Sequence, residues 1–211
     1  RILSFQLPDD GFNLRFAQGS TADPDITAMA IQALAPYYRN STFNVKDPVD
    51  KALDCLSKLQ LDTGDFRSWG TRNSESVSQI IVSLCSIGVD PQNDSRFIKN
   101  GINLLDALFY YQQEDGGFAH SYESDPSNPS AIPGESNSTA TDQALLALVA
   151  VWRQAQGMSI LYDFRPGSVS AKILTPEESE VSFAGSYEFT EADQQQADAL
   201  PKKLSTENDE A

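Results

Sequence analysis

Along most of the chain the apolar residues recur at helical spacing. Val77, Ile80, Ile81 and Leu84 fall at i, i+3, i+4 and i+7, and Leu145, Leu148, Val149 and Trp152 repeat the pattern, so each set lies on one helix face. Both runs begin in residues suited to capping, Asn73-Ser-Glu-Ser and Asn137-Ser-Thr. A third run, Asp23-Pro-Asp-Ile-Thr-Ala-Met-Ala-Ile-Gln-Ala-Leu34, begins in the same way. The pattern predicts three helices rich in small residues near 26–37, 75–87 and 139–156. Between them lie stretches with longer apolar faces and more charge. Ala52, Cys55, Leu56 and Leu59 predict a helix near 48–60, and Ile98, Ile102, Leu105 and Phe109 predict one near 94–113.

Each small-residue helix is preceded by one short frame. Gln6-Leu-Pro-Asp-Asp-Gly-Phe12, Gln60-Leu-Asp-Thr-Gly-Asp-Phe66 and Gln112-Gln-Glu-Asp-Gly-Gly-Phe118 all place a Gln six residues before a Phe, with Gly and acids between. The Phe residues stand 54 and 52 positions apart, the period of a repeat architecture built from one supersecondary unit per repeat. Each unit supplies one helix of each kind. The small-residue helices can pack closely at the centre and the others can cover them, which predicts an all-α ring of helix pairs over residues 1–164.

Beyond Arg165 the helical period fades. Residues 165–211 hold ten acids against four bases, and Val169/Ala171/Ile173, Val181/Phe183 and Tyr187/Phe189 alternate in strand fashion. A polar helix fits 190–199. This segment reads as an acidic linker, or as the start of a further domain of the same polypeptide. The chain opens at Arg1 in what reads as the last turn of an apolar helix and is taken as a piece of a longer protein, so the absence of a signal peptide leaves its compartment open.

Charge and composition then exclude several functions. With 30 acidic and 15 basic residues the net charge is −15, a field that repels phosphate backbones and argues against nucleic-acid partners. No apolar run reaches the roughly 18 residues of a membrane span. Cys55 and Cys85 lie on apolar helical faces with no Cys-x-x-Cys or Cys/His cluster, which argues against a disulfide scaffold and against a zinc module.

The frames and capped helices resemble the terpenoid-cyclase and protein-prenyltransferase repeat family. The Gln-x5-Phe frame is similar to the QW-type motif of squalene-hopene cyclases, with Phe where Trp is common. The segment Asp23 to Tyr37 is similar both to the cyclase Asp-x-Asp-Asp-Thr-Ala segment and to prenyltransferase-like repeats of secreted Gram-positive surface proteins. Intrinsic factor and transcobalamin share a related Thr-Ala-Met-Ala helix start. The resemblance implies an α/α toroid of inner and outer helix rings. With five helices and the stub of a sixth, the chain matches about half of a twelve-helix ring.

The resemblance also brings candidate chemistry. In class II cyclases the middle Asp of Asp-x-Asp-Asp is the proton donor to an alkene or epoxide, which requires a carboxyl kept protonated by burial and by neighbouring acids. Asp25 holds that position and Asp23 the first, but Ile26 holds the last, so the motif is incomplete. The bland alternative makes Asp25 or its neighbour the helix cap. Prenyltransferases hold zinc through Asp, Cys and His, whereas His120 has no nearby Cys and reads as structural. No metal site and no cofactor are expected. The complement thioester motif Gly-Cys-Gly-Glu-Gln is absent.

In a toroid the starts of the inner helices converge on the cavity mouth, so Asp25, Thr27, Glu75, Ser78, Thr139 and Asp142 form a candidate ligand-binding ring. Trp69, at the tip Trp69-Gly70, is a candidate stacking surface. The loop 121–137 is the longest insertion. The leading expectation is a non-catalytic ligand-binding or adhesive module of a secreted or cell-surface bacterial protein, taking an uncharged polar glycan or peptide-like ligand. The alternatives are a class II cyclase-like enzyme using Asp25, and a structural spacer.

Overall fold

The computed structural model of the chain describes residues 1–15, 17 and 19–163. The strand and helix expectations for 165–211 lie outside the described residues. The five helices are α1 (Pro24–Tyr38), α2 (Lys46–Leu59), α3 (Ser74–Ile87), α4 (Leu104–Phe109) and α5 (Ser138–Ala155), with short 3-10 turns at Ile2–Phe5, Ser41–Phe43 and Ser95–Phe97. The small-residue helices α1, α3 and α5 match their sequence patterns to within about two residues. Their starts are fixed by side chains: Asp23, Asn73 and Asn137 each accept from backbone N–H groups of the first turn.

Helix α3 packs against α1 on one flank and α5 on the other, while α2 covers α1 and α4 covers α3. The three central helices run parallel, because their N-terminal and C-terminal ends meet like with like. The segment between the second frame and α3 reaches the start of α1 through Ser68 and Asp23, and the Gln154 amide near the end of α5 donates to the carbonyl of Val89, just past the end of α3. Small residues permit the close approach. Ala28, Ala140, Ala144 and Ala147 are fully buried, and α3, flanked on both sides, has no exposed residue. The architecture is a partial α/α toroid of three inner and two outer helices.

The frames are turns that lock one repeat to the next. Leu7 donates to Gly11, Leu61 to Asp65 and Gln113 to Gly117, all backbone to backbone, and Phe12, Phe66 and Phe118 are buried beneath them. In the first two frames the Gln ties the turn to the following outer segment. Gln6 Nε2 donates to the Asp10 and Pro48 carbonyls, and Gln60 Nε2 donates to those of Gly64 and Phe97. Gln112 is exposed; no outer helix follows α5 among the described residues.

One expectation needs correction. The helix predicted over 94–113 is broken into the 3-10 turn Ser95–Phe97, a tight turn and the six-residue α4. Asn100 and Gly101 both adopt positive φ, 52° and 83°, so Lys99 and Ile102 pair across the turn. Asn103 and Asp106 then form a capping box that restarts the helix. A two-stranded antiparallel hairpin, β1 (Arg67–Ser68) and β2 (Thr71–Arg72), also precedes α3.

Candidate functional site

The second residues of the three inner helices are Asp25, Glu75 and Thr139, each two places after its cap, and they stand at the same end of the wall. Their environments differ. Glu75 is paired with His120, whose Nδ1 lies 2.8 Å from Oε1 and 2.9 Å from Oε2. The other ring nitrogen of His120 lies 2.9 Å from Asp125 Oδ2. Burial opposes a charged imidazole here, but the two carboxylates overcome it and raise the His120 pKa. Asp125 is held down to about 2: the Ser127 and His120 hydrogen bonds outweigh its burial. His120 is thus a buried structural cation that pins the loop 121–137 to the start of α3.

Asp25 has no such partner. Its Oδ1 is buried without a hydrogen bond, and so is the Ser76 hydroxyl. Burial pushes its pKa up to about 6; the nearby Ser76 and Ser68 hydroxyls pull the other way, and the like charges of Asp23 and Glu75 add to the rise. The cap of α1 is Asp23 rather than Asp25. Asp23 Oδ1 accepts from Ile26 N at 3.0 Å and its Oδ2 accepts from Ser68 Oγ at 2.7 Å. Pro24 sets the entry, which leaves Asp25 beside the start of α3.

Two further residues of the expected ring turn away from the mouth. Thr27 is fully buried, and its hydroxyl accepts from Phe12 N and donates to Phe12 O. Thr141 repeats this clamp on Phe118. Ser78 is buried and donates to the carbonyl of Ser74. Thr139 and Asp142 are exposed. Trp69 is exposed at the hairpin tip in a left-handed conformation, with the Arg15 guanidinium 5.8 Å from its ring centroid. The structure therefore brings Asp25 close to Glu75 and leaves Trp69 outside that cluster.

Sequence reasoning missed a polar series along the wall below. Gln32 Nε2 donates to Gln79 Oε1 at 3.0 Å and to the Gln79 carbonyl at 3.1 Å, and Gln79 Nε2 donates to Gln143 Oε1 at 2.9 Å. Within α3 only Glu75 and Gln79 are less than fully buried, and four residues apart they lie on one face of the helix. The amide N–H2 of Gln143 and the Oε1 of Gln32 carry no protein bond and are not sealed, so the series ends in a free donor and a free acceptor. The signal was available in part: Gln79 and Gln143 each stand six places after their caps.

The family model for the squalene-hopene cyclase C-terminal domain matches residues 8–160. The chain belongs to that family. No curated protein matches it. In this cyclase-family chain Asp23 is the cap of α1, and Asp25 stands beside it near the start of α3. Among the described residues no group of three or more His, Cys, Asp or Glu side chains is arranged to hold a metal ion, and no helix is long and apolar enough to cross a membrane. Cys55 and Cys85 are free, buried thiols, pushed by burial up to about 11 and 12, too high for a reactive thiolate. At the far end of the inner helices a cavity of about 810 Å³ is lined by Arg39, Ser86, Arg153 and the turn 157–161, among others.

Proposed function

We propose that the chain is a non-catalytic binding module for a polar ligand, of glycan or peptide-like character, in a secreted or cell-surface protein with further domains. The observation that carries this reading is the glutamine series Gln32–Gln79–Gln143 on the inner wall. A wall that cradles carbocations needs aromatic faces and no nucleophile. Primary amides supply nucleophilic oxygens instead, and their paired donors and acceptors suit hydroxyl and amide groups. The localisation rests on the likeness of Asp23 to Tyr37 to repeats of secreted Gram-positive surface proteins.

A second reading is favoured by Asp25 itself. A carboxyl whose Oδ1 is sealed and whose pKa is raised to about 6 has the character of a general acid. Under this reading the chain carries the acid of a class II cyclase-like enzyme acting on an isoprenoid.

The two readings part in a ligand screen of the full chain by thermal shift and calorimetry, using neutral oligosaccharides, short peptides, cobalamin and isoprenoids. Stabilisation follows mass action, about 2.7 kcal/mol at a hundredfold excess over Kd. The binding module predicts a response to glycans or peptides that Gln79→Leu removes. Conversion of squalene to a cyclic product, abolished by Asp25→Asn, establishes the enzyme instead. A chain silent to every class is a spacer.

A further inference from the structure

The mouth above the glutamine series holds more carboxylates than cations. Three carboxylates crowd there, Asp23, Asp25 and Glu75. The oxygens of Asp23 are engaged by Ile26 N and Ser68 Oγ, and both oxygens of Glu75 face His120 Nδ1. His120 also serves Asp125, Arg72 is bound to Asp65, and Arg67 is bound to Glu123. Asp25 is the one of the three with no cation beside it and no well-formed hydrogen bond. Its Oδ1 is sealed near the fully buried and equally unpartnered Ser76 hydroxyl. Its Oδ2 makes no hydrogen bond and is not sealed, so it is the atom of the pair that an outside group reaches.

We propose that Asp25 is the counter-ion for a primary ammonium group carried by the ligand, received by the accessible Oδ2 at the junction of α1 and α3. The inference rests on the binding reading above and adds a charge to one end of the polar ligand that the glutamines receive. An ammonium offers three N–H donors on a point charge and supplies the cation that Asp25 lacks. A metal ion does not fit as well: one free carboxylate and one hydroxyl are too few oxygen ligands for calcium, and the other carboxylates are already engaged. An anion is opposed by all three carboxylates despite the helix N-termini.

The test uses matched probes that differ only in charge, titrated into the full chain at pH 7.5. The pairs are Nα-acetyl-lysine amide against its Nε-acetyl derivative, and glucosamine against N-acetylglucosamine. The lysine pair reports a peptide source of the amine and the sugar pair a glycan source. The expected result is at least tenfold tighter binding of the amine member of one pair, lost in Asp25→Asn, with the Asp25 carboxyl pKa falling by about one unit at saturation when followed by carbon-13 NMR. The Asp25→Asn substitution preserves side-chain shape, and the variant's fold is checked by its amide spectrum. Equal binding of charged and acetylated members overturns the inference while leaving the polar-ligand reading intact. An amine preference that survives Asp25→Asn also overturns it. Absence of binding by every probe overturns it too, and the neutral ligands of the earlier screen then decide the broader reading separately.

Discussion

Glu75 and Asp25 occupy the same second position of two neighbouring parallel helices, and only Glu75 has a cation, His120, at 2.8 Å. The carboxylate of one repeat is thus neutralised by the repeat that follows it, and that of the adjacent repeat is left uncompensated. The difference follows from what stands two residues after each frame Phe: His120 reaches back to Glu75, whereas Ser68 reaches back to Asp23 and donates only a hydroxyl.

Asp25→Asn is expected to stabilise the free protein at neutral pH. The folded pKa of about 6 lies above the ordinary value of 3.8, so the native state binds the proton more tightly than the unfolded chain does. The ionised form therefore weakens the fold as pH rises through that window, by up to about 3 kcal/mol. Thermal melts should show the Asp25→Asn variant more stable than the wild type above pH 6, with the advantage gone below about pH 4. A pH-independent difference contradicts the assignment.

Asp23→Ala is expected to cost about 1 kcal/mol as the loss of a helix cap, with a further loss from the unpaired Ser68. Urea unfolding at pH 7 measures it. An unchanged midpoint shows that Asp23 is not the working cap.

His120→Gln is expected to destabilise by roughly 3 kcal/mol, because it strands Glu75 and Asp125 without their shared cation. The raised His120 pKa gives a native contribution that is fully present below the unfolded value near 6.5 and is lost as pH rises through the folded value. The gap between wild type and variant in urea unfolding should therefore narrow towards alkaline pH. A gap that widens there contradicts a charged His120.

The frame glutamines offer a comparison within one molecule. Gln60→Leu removes two buried bonds to the Gly64 and Phe97 carbonyls and should cost about 2 kcal/mol. Gln112→Leu alters an exposed residue and should change stability by less than about 0.5 kcal/mol. Equal effects in chemical denaturation contradict the tie between repeats.

The inner helices, their caps at Asn73 and Asn137, and the burial of Phe12, Phe66 and Phe118 were legible because each depends on local spacing. The break at Asn100-Gly101 was not, since Ile98, Ile102, Leu105 and Phe109 keep helical spacing across a turn whose dihedrals override it. The site was half legible. Asp25 and Glu75 could be placed by counting from their caps, but the Pro24 entry hid which Asp was the cap. Pairings across 45 to 64 residues, His120 with Glu75 and Gln79 with Gln143, arise only when repeats stack. Thr27 reads as a mouth residue until its hydroxyl is seen on the Phe12 backbone.

Reception of a polar ligand on the glutamine-lined side of the inner wall can be followed by nitrogen-15 NMR of the side-chain amides of Gln32, Gln79 and Gln143 in the full chain. The titrants are neutral cell-wall oligosaccharides and muropeptides, with squalene as the comparison. Saturable shifts of the Gln143 and Gln79 amide signals are expected with a glycan or peptide, and none with squalene. Amide signals unmoved by every polar ligand but shifted by squalene would contradict polar-ligand binding.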